Sequence, residues 1–411
     1  MALIQPAQPE ASEPEGGRRK RKALRYAVPA AVVGVTAATI GLVPALADSG
    51  DPSLPSLTAE QIITKIAASD TQTVDGTVKI STDLGLPSVL TGGSGSSLFG
   101  GAVAPPSFGS RGGSQADPQR QFTQLLLGTH TLHVAADGQD RQKVSIIEPA
   151  AEYSVIHDGS QLWAYDSSSN EAYHATLPAR GAVTGKADTR RQPGAEAFPA
   201  TPQAAARQIL KAADGTASIT ADGTARVAGR SAYELLIRPQ HASATTVDSI
   251  RIAVDSTTGV PLKFTLQPKG KGKAAVEIGY TKVSFGKPAA STFTFTPPKG
   301  AKVTEQQDTS RKGAAPDAMS GLGADSSVGS GWDTVAVFHG KGALPSGAEK
   351  NGKGGAAAML GGFGKQVSGS FGSGTLFHTR LVNVLLTQDG TIYAGAVDES
   401  ALTAAASSAA R

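Results

Sequence analysis

The chain has 411 residues, with 49 Gly, 24 Pro, no Cys and only 5% aromatic residues. The missing cysteines exclude a disulfide scaffold, a Cys-ligated zinc or iron–sulfur site and a cysteine nucleophile. Abundant Gly and Pro with 18% charged residues argue against a long helical bundle. Of the 38 basic and 34 acidic residues, six and three lie in residues 1–47, leaving a near-neutral body of 32 and 31 that lacks the cationic footprint of a nucleic-acid binder.

The six cations, Arg18, Arg19, Lys20, Arg21, Lys22 and Arg25, precede an uncharged apolar run from Ala27 to Ala47 that ends in Ala45-Leu46-Ala47. A basic flank, an apolar stretch and an A-x-A site predict an export signal over 1–47, cleaved before Asp48. The runner-up is an uncleaved transmembrane helix with a cytoplasmic N-terminus, because the run is long enough to cross a bilayer. Either way the body is expected to be secreted or to sit on the extracytoplasmic face of the cell membrane.

Residues 48–56 read as a linker. Thr58-Ala59-Glu60-Gln61 is a capping box, with Leu57 and Ile62 as its hydrophobic staple and Ile62, Ile63 and Ile66 as the stripe of a short helix. Val74, Gly76, Val78 and Ile80 alternate with polar residues as a strand does. A Gly/Ser/Pro-rich insertion is expected near 84–120. Strands are predicted at 129–136, 141–147, 152–157, 160–166 and 171–177, punctuated by Asp137-Gly138, Asp158-Gly159 and Ser168-Ser169-Asn170, which makes an antiparallel meander.

A second insertion is expected at 178–200. Thr201-Pro202 then starts a helix whose Ala206, Ile209, Leu210 and Ala213 share a face, ended by Asp214-Gly215. Strands resume at 216–221, 224–228, 231–238, 248–255, 260–267, 274–285 and 292–296. Residues 304–330 read as a linker. The tail 331–411 reads as a small C-terminal α/β segment, with a strand near 333–338 and a hairpin of 374–386 with 391–397.

Familiar catalytic patterns are missing: the sequence has no P-loop, no G-x-S-x-G elbow and no H-E-x-x-H. His130 and His133 are three apart on a strand, hence on opposite faces and unable to share a metal. Glu148, Glu152 and Glu171 read as solvated strand carboxylates rather than an acid–base pair. The reading is therefore of a non-enzyme that needs no metal and no cofactor.

Three hairpin signatures carry a resemblance. Asp158-Gly159-Ser160-Gln161-Leu162-Trp163-Ala164-Tyr165-Asp166, then Val254-Asp255 with Thr258-Gly259-Val260-Pro261-Leu262-Lys263, then Phe293-Thr294-Phe295-Thr296-Pro297-Pro298-Lys299-Gly300 occur in that order. Together they resemble the LolA-like lipoprotein-carrier superfamily, in the form found in high-GC Gram-positive (actinobacterial) bacteria, over 57–303. The tail resembles the second domain of RseB/MucB-type regulators.

The resemblance implies an α+β, mainly antiparallel fold: a curved half-open β-barrel covered by a few short helices. It also implies an exported chaperone or carrier that holds lipid or lipoprotein acyl chains in an apolar cavity. The alternative is an envelope sensor of lipid or lipoprotein that acts on an anti-sigma factor, with a membrane-protein partner. A monomer is expected. Burying each acyl methylene gains about 0.8 kcal/mol, so such binding needs no specific polar contact. The ligand-cavity candidates are Trp163, Tyr165, Val260, Leu262, Phe264, Leu266 and Ile209. Simple core packing is the competing role for each.

Overall fold

The computed structural model describes residues 52–85, 128–176, 201–213, 215–305, 326–339 and 364–409, together with Ser114, Ala116, Pro118, Gln121 and Leu125. The export segment 1–47, the insertion at 178–200 and most of the 84–120 and 304–330 segments lie outside the described residues.

Helix α1 (Ala59–Ala67) begins as its sequence requires. The Thr58 backbone N–H donates to Gln61 Oε1 at 2.8 Å, and the Gln61 N–H donates back to Thr58 Oγ1 at 3.3 Å. Strands β1 (Thr73–Thr82), β2 (Gly128–Asp137), β3 (Arg141–Ile147), β4 (Glu152–Asp158), β5 (Gln161–Asp166) and β6 (Glu171–Thr176) follow. Then come α2 (Pro202–Ala213), β7 (Ala217–Val227), β8 (Arg230–Pro239), β9 (Val247–Asp255), β10 (Pro261–Pro268), β11 (Val276–Ser284) and β12 (Lys302–Glu305). Thr201 caps α2 by accepting from the Ala204 N–H at 3.2 Å.

These twelve strands form one sheet in the order β12-β6-β5-β4-β3-β2-β1-β11-β10-β9-β8-β7. It consists of two antiparallel meanders, β2–β6 and β7–β11, joined where β1 pairs with β2 on one side and β11 on the other. All pairings are antiparallel except β12 with β6. The sheet is open and curved: β7, at one edge, curls back to touch β11 although three strands separate them in the ladder. Right-handed twist accumulates to this end when no hydrogen-bonded closure stops it.

One face, here the inner face, carries Val78, Ile80, Leu132, Ile146, Tyr153, Phe264, Ile278, Ile252 and Leu235, which are buried in a single apolar cluster. Helix α1 packs chiefly on β7 and β8, and α2 on β10 and β11. At the mouth of the β9–β10 turn, Asp255 is 1% exposed and is held by Arg230 through contacts of 2.5 and 3.0 Å and by Thr258 N–H and Oγ1 at 2.7 and 2.9 Å. Burial pushes the Asp255 carboxyl up, but the hydrogen bonds from Arg230 and Thr258 and the Arg230 charge outweigh it and hold the group below the ordinary range. In the same turn Gly259 has φ +74°, and a Cβ there would run into the carbonyl of Lys65 at the end of α1. Only glycine fits both requirements.

The outer face has its own cover. Residues 285–301 leave β11 next to β1 and arrive at β12 beside β6, so they cross the outer face as a strap. The 3₁₀ turn Ala290–Phe293 packs on β3 and β4 with Phe293 1% exposed, and Phe295 lies 5.4 and 5.5 Å from the rings of Trp163 and Tyr165. The strand expected at 292–296 is therefore corrected. Phe293 and Phe295 alternate as strand residues would, but a segment crossing a sheet face has no neighbour to complete a ladder.

Two further expectations shift. The Asp222-Gly223 pair, read as a break between 216–221 and 224–228, is a bulge inside continuous β7, with one extra residue opposite β8. The single strand expected at 374–386 is two.

The C-terminal part is a second sheet of six antiparallel strands, in the order β13-β14-β18-β17-β16-β15. They are β13 (Ser326–Val328), β14 (Val335–His339), β15 (Lys365–Gly369), β16 (Gly372–Phe377), β17 (Asn383–Thr387) and β18 (Thr391–Gly395). Helix α3 (Glu399–Ala409) covers one face through Leu402, Ala405 and Ala406, which join Val335, Leu376 and Leu385 in a separate core. The sequence reading missed β12, β13, β15 and α3. Asp398, which caps α3 by accepting from the Ala401 N–H at 3.0 Å, followed by an Ala-rich run, was the available signal for the helix.

Candidate functional site

The strand registers place a row of side chains across the inner face. Gly76 of β1 faces Val134 of β2, which faces Val144 of β3, then Val155, Ala164 and Tyr173 of β4, β5 and β6. Cross-strand partners share a face, so this is one apolar stripe running perpendicular to the strands. Val134 and Ala164 are buried, whereas Val144, Val155 and Tyr173 are only half-buried. From the 114–125 stretch, Ala116 and Leu125 join the cluster, and the Tyr153 hydroxyl donates to the Ala116 carbonyl at 3.0 Å.

Tyr280 of β11 faces Val78 on the same side of the sheet. Burial pushes its phenol up to about 12, and no hydrogen bond to it is seen among the described residues. Gly76 makes room for this ring: a Cβ there would meet the Lys282 carbonyl at 2.7 Å and the Tyr280 ring at 3.0 Å.

The sequence-predicted lining residues fall into two groups on opposite faces. Leu262 and Phe264 of β10 are buried in the inner cluster, and Leu266 and Ile209 pack against it half-buried. Val260 is buried in the β9–β10 turn, where its carbonyl accepts from the Asp255 N–H at 2.9 Å. Trp163 and Tyr165 project from β5 on the side opposite Ala164, under the strap. Trp163 stacks on His174 at 4.0 Å, and the Tyr165 hydroxyl donates to Asn170 Oδ1 at 3.0 Å. Sequence alternation showed that these two share a face, not that the face is the strap's.

His174 also lies 2.6 Å from both Glu305 of β12 and Gln161 of β5, so it ties the parallel edge strand to the sheet. Two of the three carboxylates singled out in sequence are engaged. Glu152 accepts from Ser154 Oγ at 2.7 Å, and Glu171 pairs with Lys302 at 3.1 Å. His133 pairs with Asp75 at 3.2 Å. Among the described residues no cluster of His, Asp and Glu is arranged to hold a metal. None of the described helices is long and apolar enough to cross a membrane.

Hollows lined by described residues include the following two. One of about 300 Å³ lies over the outward face of α2, at Ala204, Arg207, Gln208 and Lys211. The other, of about 110 Å³, lies in the second sheet between Asp389, Tyr393, Phe371 and the end of α3. Neither lies over the half-buried stripe.

No protein-family profile and no curated protein matches the chain. Solved structures similar to it include the MucA/MucB complex of Pseudomonas aeruginosa, at 16% identity and a TM-score of 0.39 over 85% of this chain and 96% of that one. The LolA superfamily protein NE2245 of Nitrosomonas europaea matches at 12% identity and a TM-score of 0.22, over 58% of this chain and 99% of that one. An outer membrane lipoprotein-sorting protein domain of Vibrio parahaemolyticus matches at 10% identity and a TM-score of 0.21, over 57% and 97%.

Proposed function

We propose that the chain is an exported, non-catalytic carrier that holds lipid or the acyl chains of lipoproteins against the inner face of its larger sheet. The observation that carries this reading is the transverse stripe. Val144, Val155 and Tyr173 form a continuous apolar surface with buried Val134 and Ala164, yet among the described residues α1 and α2 pack chiefly on the other half of the sheet, and Ala116 and Leu125 reach the cluster from the 114–125 stretch. A sheet with one apolar face must bury that face against something, and a half-covered face leaves an acyl chain a place to lie.

In this reading Leu262 and Phe264 continue the apolar inner face beneath α2, Leu266 and Ile209 lie half-buried at its margin, and Val260 fixes the β9–β10 turn. Trp163 and Tyr165 brace the strap from the opposite side. The export signal and the LolA-like hairpins in the sequence agree with this assignment. No cofactor is required, because apolar burial supplies the affinity.

The test is lipid extraction and native mass spectrometry of the full chain, together with titration by a fluorescent fatty acid. A co-purifying amphiphile is expected, and Val155→Asp is expected to weaken fatty-acid binding about tenfold or more by placing a charge in apolar surroundings. Preparations that carry no amphiphile and bind no fatty acid would overturn the assignment.

A second reading is a lipid or lipoprotein sensor that acts on a membrane-protein partner such as an anti-sigma factor. It is favoured by the second sheet, which has its own core. A stoichiometric envelope protein recovered with the full chain and lost on removing residues 331–411 would decide for it.

A further inference from the structure

The connection between β16 and β17 leaves its own sheet and enters the larger one. Its tip, Thr379–Val382, is preformed. Thr379 Oγ1 accepts from the Leu381 and Val382 N–H groups at 3.2 and 2.9 Å, and Asn383 Oδ1 accepts from the Thr379 N–H at 3.0 Å. Leu381, 8% exposed, belongs to the apolar cluster of the larger sheet and not to that of its own.

Around it the tip is held by polar contacts. The Arg380 N–H donates to the Leu84 carbonyl at 2.8 Å, its guanidinium reaches Asp83 Oδ2 at 2.8 Å and the Lys273 carbonyl, and Thr246 Oγ1 donates to the Leu381 carbonyl at 2.5 Å. These partners are the exit of β1, the β10–β11 turn and the β8–β9 loop, so the tip closes one end of the sheet.

Near that end an inner-face row runs through Ile250, Leu266, Val276 and Thr82, with the buried Val247–Pro268 pair beyond it. Leu266 and Val276 are half-buried. Thr82 is buried, and its hydroxyl has no hydrogen-bond partner among the described residues. A buried hydroxyl left without a partner one residue from Asp83 calls for an explanation, and an incoming polar atom would supply one. From the second sheet only Leu381, Val382, Ala396 and Trp332 contribute apolar contact to the larger cluster among the described residues. The Arg380–Asp83 pair is partly open to solvent. The body of the second sheet is tied on separately, by Thr246 N–H to the Ala396 carbonyl and Asp398 N–H to the Ala244 carbonyl, both at 2.8 Å, so the tip can lift while these bonds hold.

We infer that the Arg380–Leu381 tip is a displaceable plug over an acyl-chain entry site floored by Ile250, Leu266, Val276 and Thr82. An entering chain takes the place of Leu381, and the ester or carboxyl oxygen it carries gives the Thr82 hydroxyl its partner. Displacement of the tip then reports that the site is filled. The inference rests on the carrier reading above and adds the place of entry and the device that guards it.

The chain has no cysteine of its own, so a lock can be engineered cleanly. A Cβ at Gly85 would lie 3.8 Å from Arg380 Cβ, the usual span of a disulfide. The Gly85→Cys/Arg380→Cys full chain is compared, oxidised and reduced, with the unmodified chain in stopped-flow uptake of a fluorescent fatty acid. Because Gly85 has φ +70°, Arg380→Ala serves as a second variant that leaves position 85 untouched.

The expected result is uptake about tenfold or more slower in the oxidised form than in the reduced form, and faster uptake in Arg380→Ala than in the unmodified chain. Equal uptake rates in all four proteins would overturn the plug and leave the carrier reading standing. Absence of fatty-acid binding in all four would overturn both.

Discussion

Tyr280 makes the buried interior of the larger sheet measurable at the level of one residue. Its phenol is raised to about 12 by burial, while the unfolded chain would titrate it near 10. The raised value means that stability is fully present below pH 10 and is lost as pH rises toward 12, because the unfolded state gives up its proton first. Two pH units correspond to about 3 kcal/mol. Urea unfolding at stepwise pH from 9 to 12 should show this loss in the parent chain and a smaller one in Tyr280→Phe; equal slopes would mean that the ring is not buried in the folded protein. The alternation of Val74, Gly76, Val78 and Ile80 already announced this face. Tyr280 was not singled out, because one aromatic residue in a mixed strand carries no label for depth.

At the scale of elements, the strap shows what alternation cannot distinguish. Phe293 and Phe295 read as strand residues, yet the 3₁₀ turn that ends at Phe293 packs on β3 and β4, and the Phe295 ring leans on half-buried Trp163 and Tyr165 from the outer side. Phe293→Ala should cost about 3 kcal/mol, as large-to-small changes at buried aromatic sites do. In a Trp332→Phe background, where Trp163 is the sole indole, the same change should shift Trp163 emission to the red; an unchanged spectrum would place Trp163 elsewhere than under the strap. Turn and cap chemistry was the more legible part. The Thr58 box, the Thr201 cap and the glycine turns at Gly138, Gly159 and Gly390 stand where the sequence put them. Their hydrogen bonds close within a few residues. The faces of the candidate residues were half legible for the same reason: strand parity put Leu262, Phe264 and Leu266 on one face but could not say that Trp163 and Tyr165 belong to the other.

At the scale of the whole molecule, β1 joins two meanders whose paired residues are about 200 positions apart in sequence, as Ile80 and Ile278 show. Gly76→Val in this strand should cost about 2 kcal/mol by overpacking against Tyr280 and the Lys282 carbonyl. Trp163 reports from the β2–β6 half, and Trp332, whose indole N–H donates to Thr216 at 3.1 Å, from the β7 side. Both should lose their folded signal at one shared, lowered denaturant midpoint; two separate midpoints would show that β1 does not couple the halves.

By itself the sequence determined the near-neutral body, the absence of cysteine chemistry, the two helix starts and most strands with their turns. Each of these depends on neighbours a few positions away or on composition alone. Tertiary structure decided that β1 sits between the meanders, that residues 285–301 form a strap, that β12 closes the far edge in parallel and that Leu381 enters a core other than its own. A period of two says only that a strand has two faces. Which face is apolar interior, and what comes to cover it, is set by contacts between segments whose meeting no local pattern records.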